Sequence, residues 1–414
     1  MFSRRSFLSG LGLTLGSLAL PRWALAQAPG GIRFLFVFAP GGWDPTYVFA
    51  PLFGNTNIDM ETNATAATVG GITFTDSPAR PQVRSFFETW HDRTLILNGM
   101  QVRSLAHEIC MELVLTASSS GISPDWPTLI AAAAPDAFTL PHLVLGGPSY
   151  AGDLSAYLCR TGDNGQLEGL LSGQILEGSD LDVAPPPLQS ERILDDYIQR
   201  RAQARAGGAR VGADTRLANA YELALSRAVL LKSAQYDMDF SPGNTLSTLA
   251  FSAIDALATD LARCVSIGHP SSWDTHSNNT TQSGLFTDLF TGLSTIMDLL
   301  QTTTAPSGKL LSEETMVVVL SEMGRTPQLN SSQGKDHWPY TSAMLVGPGI
   351  TGSRVVGGYD TYFNGQTVDP TTAEVAVGAP PLSVENLGAT LLTLGGVDPA
   401  AYIRGGVPLS GVLT

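Results

Sequence analysis

Cysteine is scarce in this chain, with three residues among 414 that lie far apart in the sequence. Cys110, Cys159 and Cys264 form neither a CxxC pair nor a spacing typical of a metal-binding site. Because their number is odd, at least one thiol has no partner within the chain. The sequence therefore argues against a cysteine-based metal or redox centre and predicts buried, unreactive thiols.

Positive charge and long hydrophobic runs are also lacking. The chain has 23 lysines and arginines against 37 aspartates and glutamates, which gives a formal net charge of −14. Such an acidic surface repels phosphate backbones and excludes nucleic acid as a partner. The amino-terminal apolar run, Leu11 to Leu20, is shorter than the roughly 20 residues that span a bilayer, and no later stretch approaches that length. We therefore expect no stable membrane span in the mature protein.

The first residues carry the pattern of a twin-arginine export signal. The string Ser3-Arg4-Arg5-Ser6-Phe7-Leu8 precedes the short apolar run, and small residues follow at positions 24, 26 and 28. We expect residues 1–28 to be a signal peptide that is cleaved after Ala26 or Ala28. The mature protein would be periplasmic or secreted, with the twin-arginine translocase as its partner during export. Because this route carries folded proteins, often with a cofactor already loaded, it favours a bound metal or cofactor.

Apolar runs and helical patterns alternate along the mature chain. Continuous apolar runs are typical of strands that are buried on both faces of a parallel sheet, and their alternation with helices favours a doubly wound α/β sheet. The predicted strands are Ile32 to Phe38, Thr94 to Leu97, Pro141 to Leu145, Met316 to Leu320 and Ala343 to Val346. The predicted helices cover about 105–117, 125–134, 284–301 and 384–394.

The middle of the chain has a different composition. Residues 150–190 are rich in Gly, Ser, Asp and Pro, and helical patterns follow at 191–206, 215–234 and 245–264. We interpret residues 29–414 as one domain that carries an insertion or cap at about 150–264.

Polar residues cluster where the apolar strands end, and this is where open α/β sheets form their sites. Carboxylates and imidazoles in such loops are the ligands that a divalent ion prefers. The candidate ligands are Asp44, Asp274, His276, Glu322 and His337. Each also has a structural interpretation: Asp44 as a turn cap, Asp274 and His276 as a loop pair, Glu322 as a partner of Arg325, and His337 as a structural histidine.

The order of these motifs resembles the bacterial family known as domain of unknown function 1501. The shared features are the twin-arginine leader, Gly-Gly-x-Asp at 41–44, Asp-Thr-His-Ser-Asn at 274–278, Ser-Glu-x-Gly-Arg-Thr at 321–326 and Asp-His at 336–337. That family looks like a branch of the alkaline phosphatase and sulfatase superfamily. Residues 346–350 and 382–397 are similar to the sulfatase strand exit and closing helix. The resemblance implies a three-layer α/β/α fold and one or two divalent metals bound at strand ends.

The resemblance also implies roles for individual residues. Asp44 matches the first metal-binding aspartate, Asp274 and His276 match an Asp-and-His pair, Glu322 stands in place of a metal-binding aspartate, and His337 matches the late histidine. One departure is Met323 in place of the histidine of an Asp-His pair, because a thioether is a poor ligand for a hard ion.

The second departure concerns the nucleophile. His107 stands at the place of the Ser, Thr or modified Cys nucleophile, and Ser104 precedes it by three residues. His107 is open to interpretation as a metal ligand, a general acid or base, a nucleophile, or a helix cap in a protein that has lost catalysis.

Two functions follow as alternatives. The first is hydrolysis of a small anionic phosphate or sulfate ester, with zinc, manganese, calcium or iron as the metal and with Arg325, and also Lys335, neutralising the ester oxygens. The second is a non-catalytic binding or assembly protein that keeps the fold. A redox enzyme ranks last, because no GxGxxG follows a strand.

Overall fold

The computed structural model describes residues 31–134, 136–162, 166–167, 188–209, 212–233 and 243–414. The predicted export signal lies outside these residues. The helices span Pro81–Trp90 (α1), His107–Thr116 (α2), Trp126–Ala132 (α3), Leu188–Gly208 (α4), Gly212–Ser233 (α5), Leu246–Ala258 (α6), Thr281–Thr302 (α7) and Val384–Leu394 (α8). The strands span Arg33–Phe38 (β1), Thr65–Val69 (β2), Ile72–Asp76 (β3), Thr94–Gln101 (β4), His142–Val144 (β5), Leu158–Arg160 (β6), Cys264–Gly268 (β7), Thr315–Leu320 (β8), Gly324–Arg325 (β9), His337–Trp338 (β10), Tyr340–Val346 (β11), Arg354–Gly357 (β12), Val368–Asp369 (β13) and Glu374–Val375 (β14).

A mostly parallel sheet of eight strands runs through the centre of the described chain, in the order β12-β4-β11-β8-β1-β7-β5-β6. Its neighbouring strands are parallel except for β11, which is antiparallel to both β4 and β8. The apolar run that forms β1 is fully buried between β7 and β8. Six further strands form two-stranded ribbons, which pair β2 with β3, β9 with β10, and β13 with β14.

Helices cover both faces of this sheet, because successive side chains of each buried strand point to opposite sides. From β1, Leu35 and Val37 join a core formed with α1, α6 and α7, whereas Phe34, Phe36 and Phe38 join a second core formed with α2, α3 and α8. The prediction of a three-layer α/β/α sandwich with a mostly parallel sheet is therefore confirmed.

Part of the predicted insertion at 150–264 belongs to the main sheet and its core, and part of it forms a separate pair of helices. Strand β6 pairs with β5 in the main sheet, and α6 packs against α7 and β7 in one of the two cores. Helices α4 and α5 pack against each other, and α5 also contacts Ser155–Tyr157 at the sheet edge. We call α4 and α5 together the helical hairpin. None of the described helices is long and apolar enough to cross a membrane.

The three cysteines are unpaired. Cys110 and Cys264 are buried, and burial raises the pKa of the Cys110 thiol to about 11 and that of the Cys264 thiol to about 12. Burial also raises the pKa of Cys159 to about 11. Since the thiolate is the reactive form, these groups are unreactive at neutral pH.

Candidate metal centre

The turn after β1 requires its two glycines. Gly41 and Gly42 have φ values of +112° and +83°, which side chains with a Cβ adopt rarely. A Cβ on Gly41 would lie 2.5 Å from the backbone nitrogen of Asp274, and one on Gly42 would lie 2.7 Å from Cγ of Met323. The turn thus passes tightly between the segments that carry Asp274 and Glu322.

Two loops that lie far apart in the sequence are joined by backbone hydrogen bonds. The amide of Lys335 donates to the Thr275 carbonyl over 3.0 Å, and the amide of Asn279 donates to the Gln333 carbonyl over 2.7 Å. Gly334 lies so close to His276 that a Cβ would be 2.1 Å from the His276 carbonyl carbon. Consequently His276 lies beside the start of β10, where His337 is located.

Three imidazoles surround the carboxylate of Asp274. The Nε2 atoms of His276 and His337 lie 3.2 Å and 3.4 Å from its Oδ1, and Nε2 of His107 lies 3.5 Å from its Oδ2. The two Nε2 atoms of His276 and His337 are 2.9 Å apart. We call these four side chains the His₃Asp cluster. They come from the first residue of α2, the loop after β7 and the strand β10.

The opposite nitrogen of each imidazole faces an oxygen. Nδ1 of His107 lies 2.8 Å from Oε1 of Glu322, and Nδ1 of His276 lies 2.8 Å from Oδ1 of Asp336. Nδ1 of His337 lies 2.6 Å from the Leu105 carbonyl oxygen. A carbonyl or carboxylate oxygen can only accept, so each Nδ1 carries the hydrogen and each neutral ring presents an Nε2 lone pair.

Three of the four side chains of the cluster, His107, Asp274 and His337, fit a divalent metal ion. One ligand atom from each of His107, Asp274 and His337 lies within 4.8 Å of the others, and Nε2 of His107 has no hydrogen-bond partner although it is buried. Two Nε2 lone pairs 2.9 Å apart repel each other unless a cation or a proton lies near them. Imidazoles held from behind by carboxylates or carbonyls are the usual arrangement around a protein-bound metal.

Hydrogen bonds and charges set the proton affinities in the cluster. The hydrogen bond with Glu322 is the main cause that raises the pKa of His107. Burial alone would raise the pKa of Asp274, but the hydrogen bond and charge of Arg325 leave that pKa below its usual value. The hydrogen bond with His276 lowers the pKa of Asp336. Asp274 is therefore a carboxylate at neutral pH and is available as an anionic ligand.

Two expected ligands lie behind the cluster instead of in it. Glu322 is fully buried, and its Oε1 accepts from the Gly41 amide as well as from His107. Asp44 is also fully buried, and its Oδ2 lies 2.8 Å from Nζ of Lys335. Glu322 thus lies behind His107, and Asp44 pairs with a buried lysine. Both side chains point into the protein, and their expected roles as metal ligands stay predictions.

The two expected anion-binding cations also point inward. Arg325 is fully buried and donates to the carbonyls of Gly41 and Gly42 and to Oδ1 of Asp274, the last over 2.6 Å. Its ion pair is therefore with Asp274 and not with Glu322. Lys335 is 1% exposed and is held by Asp44. Neither cation faces the open side of the cluster, where Asp274 and His276 reach solvent.

The remaining candidate residues take structural positions. Ser104 Oγ accepts from the Ala106 amide over 3.2 Å, just before α2 begins at His107. Met323 is fully buried in the core on the α2 side of the sheet. Its Cγ lies beside the Gly42 turn, so the residue that departs from the family pattern at one metal position forms part of the core.

Asp336 supports the cluster, although no role was expected for it from the sequence. This residue holds Nδ1 of His276 and also accepts from Nδ2 of Asn330 over 3.3 Å. Its place directly before His337, within the Asp-His motif, was the available signal. The Leu105 carbonyl could not have been predicted, because any residue supplies a carbonyl.

Comparison with known proteins finds a family match over part of the chain. Residues 217–407 match the family described as "Protein of unknown function (DUF1501)", which confirms the family prediction; the match includes Asp274, His276, Glu322 and His337. No curated protein matches the chain.

Solved structures show a distant likeness. One is a protein in the alkaline phosphatase superfamily from Vibrio parahaemolyticus, with 10% identity over 89% of this chain and 68% of that chain and a TM-score of 0.38. Another is the PsFucS1 sulfatase from Pseudoalteromonas sp., with 10% identity over 92% of this chain and 74% of that chain and a TM-score of 0.36.

Proposed function

We propose that this chain, whose residues 217–407 belong to the DUF1501 family, is an exported metalloprotein that hydrolyses small anionic esters. His107, His276, His337 and Asp274 bind one divalent metal ion in this proposal. The observation that carries it is the convergence of three Nε2 atoms on one carboxylate, with distances of 3.2 Å, 3.4 Å and 3.5 Å.

The chemistry of the donor atoms narrows the choice of metal. Three imidazole nitrogens and one carboxylate suit zinc, iron or manganese, whereas calcium prefers six to eight oxygen ligands. Of the four metals expected from the sequence, calcium is therefore disfavoured. The neutral Nδ1–H forms of the imidazoles are already held by Glu322, Asp336 and the Leu105 carbonyl, so little reorganisation accompanies binding.

The exposed side of the cluster supports a hydrolytic role. The side chains of Asp274 and His276 are 36% and 47% exposed, so a small substrate and water can reach them. A divalent ion at this position supplies Lewis acidity for ester hydrolysis. The protein orients three imidazoles from α2, β10 and the loop after β7, and Arg325 holds Asp274 from behind. His107 acts as a ligand in this proposal, which leaves water as the attacking group.

A specific observation favours the second function, a non-catalytic metal-binding or assembly protein. Arg325 and Lys335 are both buried and both paired with carboxylates, so they are not free to neutralise the oxygens of a phosphate or sulfate ester. An anionic ester would then depend on the metal and on backbone amides for charge stabilisation.

Metal and ester titrations separate the two functions. The purified protein would be stripped, titrated with Zn²⁺, Mn²⁺, Fe²⁺ and Ca²⁺ by calorimetry, and assayed with p-nitrophenyl phosphate, bis-p-nitrophenyl phosphate and p-nitrophenyl sulfate. Turnover that depends on bound metal and is lost in His107→Ala supports the hydrolase. Tight metal binding without turnover of any ester supports the second function. His91→Ala is the matched control and should keep both metal binding and turnover, because His91 forms a hydrogen bond with Ser353 outside the cluster.

Export has its own test. The amino-terminal 28 residues fused to a reporter that folds in the cytoplasm should direct that reporter to the periplasm. The paired change Arg4→Lys and Arg5→Lys should retain it in the cytoplasm. Export of the variant at the original rate would contradict the twin-arginine assignment.

A further inference from the structure

The connection between β4 and α2, residues 102–106, supports two imidazoles of the His₃Asp cluster. His107 is the first residue of α2, so its position depends directly on where this connection ends. The carbonyl oxygen of Leu105 accepts from Nδ1 of His337 over 2.6 Å. A displacement of the connection would therefore move His107 and take away the hydrogen-bond acceptor that orients His337.

The connection contains a strained backbone conformation at Arg103. The φ of Arg103 is +63°, in the left-handed region that glycine adopts freely and that residues with a side chain adopt rarely. The residue before it, Val102, is buried, and its amide donates to the Pro339 carbonyl over 2.8 Å. A left-handed arginine costs free energy, and such a conformation persists where surrounding contacts hold it in place.

The Arg103 guanidinium forms a bidentate ion pair with Glu385 on α8. Its Nη1 donates to Oε2 over 2.9 Å, and its Nη2 donates to Oε1. Burial alone would raise the pKa of Glu385, but the hydrogen bond with Arg103 leaves that pKa below its usual value, so Glu385 is a carboxylate at neutral pH. A bidentate pair of planar groups fixes direction as well as distance, which a single hydrogen bond does not.

Helix α8 gives this ion pair a fixed base. Glu385 lies in the first turn of α8, where the helix dipole favours a carboxylate. The helix begins with a capping box, and its apolar residues are buried in the core that it shares with α2 and α3. The amide of Gln101, at the end of β4, donates to the Leu382 carbonyl over 2.9 Å, just before α8. Arg103 thus joins the connection to a helix that the core holds in place.

We propose that Arg103 and Glu385 are a positioning pair for the metal centre. The pair holds the connection 102–106 in its left-handed turn, and the connection in turn places His107 and the Leu105 carbonyl for metal binding. The two residues act through the backbone of the connection and do not bind the metal themselves. This role rests on the metal centre of the proposed function.

Arg103→Gly separates positioning from stability. Glycine adopts the positive φ without strain, and an exposed ion pair contributes little to stability, so the midpoint of urea unfolding should stay close to that of the wild type. We expect the affinity for Zn²⁺ to fall about tenfold, the lower end of the effect of supporting partners. Competition with a chromogenic chelator measures this fall in the full mature chain.

Two further measurements report on the connection itself. In the stripped Arg103→Gly protein, amide hydrogen exchange across residues 102–110 should be faster than in the wild type. With Co²⁺ bound, the visible absorption spectrum should change, because it depends on the geometry of the ligands. Arg84→Ala is the matched control and should alter none of these readouts: Arg84 is 44% exposed, as Arg103 is, and also forms two hydrogen bonds with one carboxylate, that of Asp76, outside the cluster.

A double-variant cycle tests whether the two residues act together. Glu385→Gln should lose as much affinity as Arg103→Gly, and the double variant should lose no more than either single variant. Arg103→Lys keeps the charge but not the bidentate geometry, and it should retain an affinity within about threefold of the wild type. Additive losses in the double variant would show that the residues act independently and would overturn the pair.

The remaining outcomes separate this role from the metal centre. Unchanged metal affinity and hydrogen exchange in Arg103→Gly overturn the positioning role and leave the metal centre standing. A large fall in the urea midpoint of that variant, with the Co²⁺ spectrum unchanged, makes the pair a structural one and overturns the role as well. A wild-type protein that binds no metal overturns the proposed function, and the positioning role with it.

Discussion

The Nε2 atoms of His276 and His337 lie 2.9 Å apart, and the Nδ1 hydrogen of each ring is donated to an oxygen. The two neutral rings therefore direct lone pairs at each other and at the carboxylate of Asp274. A cation relieves this repulsion, either as a proton on one ring or as a metal ion among these groups. The fold thus brings together an arrangement that a bound cation stabilises.

The Asp336 carboxylate, which lies behind His276, should increase the metal affinity of the cluster without binding the metal itself. Asp336→Asn keeps the size of the side chain but removes the charge that lies 2.8 Å from Nδ1 of His276. We expect metal affinity to fall by about 10- to 100-fold, since such supporting partners have effects of this size. Competition with a chromogenic chelator measures the change. Asp92→Asn, at an exposed position outside the cluster, is the control, and an equal loss in both variants would contradict this role.

Asp44 and Lys335 should behave as a structural ion pair. Both are buried with their charged atoms 2.8 Å apart, so Asp44→Asn leaves an unpaired ammonium in the interior. We expect a loss of about 3–5 kcal/mol in the free energy of unfolding in urea, while the folded fraction keeps its metal. The double variant Asp44→Asn/Lys335→Met should recover much of that stability. Loss of metal without loss of stability would instead make Asp44 a ligand.

The first glycine of the turn after β1 should be required for the cluster. Gly41→Ala places a Cβ 2.5 Å from the Asp274 nitrogen, so the segment that carries Asp274 must move. Gly54→Ala is the matched control, because Gly54 also has a positive φ of +85° but its Cβ would meet open space. We expect both variants to lose about 1–2 kcal/mol through backbone strain, and only Gly41→Ala to lose metal as well. Equal metal content in the two variants would contradict the steric argument.

Acid should destabilise the protein through His142. This residue is fully buried between the hydroxyls of Thr128 and Ser266, and burial lowers its pKa to about 3. The nearest carboxylate oxygen, on Asp125, is 3.8 Å away, too far for a hydrogen bond. Above pH 6.5 the ring is neutral in both the folded and the unfolded state, so its protonation costs no stability there.

As the pH falls from about 6.5 towards 3, the unfolded chain gains a proton that the folded chain does not, and stability is lost by up to about 1.4 kcal/mol per pH unit. Burial raises the pKa of Asp125 to about 6, so Asp125 makes the folded state more stable as the pH falls and opposes the effect of His142. The wild type and the variant must therefore both retain Asp125. As the pH is lowered from 7 to 4, the free energy of unfolding in urea should fall less for His142→Gln than for the wild type. Identical slopes would show that His142 does not carry the acid sensitivity.

Much of the fold follows from local patterns, because buried parallel strands appear as continuous apolar runs. The runs at Arg33–Phe38 and Thr315–Leu320 became central strands, and the helical spacing at 384–394 became α8. Strand β7, Cys264–Gly268, was missed because the preceding helical pattern was continued to Cys264. The antiparallel direction of β11 depends on pairing between distant segments, which no local pattern records.

The sequence predicted which residues of the site lie close together where their motifs stand at the ends of strands. Asp274, His276 and His337 do meet, as their places at strand ends implied. The sequence could not reveal that Asp44 meets Lys335 or that Glu322 lies behind His107, because each pair joins segments more than 200 residues apart. Whether a carboxylate binds a metal or supports a ligand depends on the direction in which its side chain points.

Metal content tests the central claim most directly. The protein would be purified without added metal from a host competent in twin-arginine export, and bound metals would be measured by elemental mass spectrometry. We predict close to one equivalent of zinc, iron or manganese in the wild type and in Asp44→Asn/Lys335→Met. Asp274→Ala and His337→Ala should lose it. A folded wild-type protein that contains no metal and shows no affinity for added ions would contradict the metal centre.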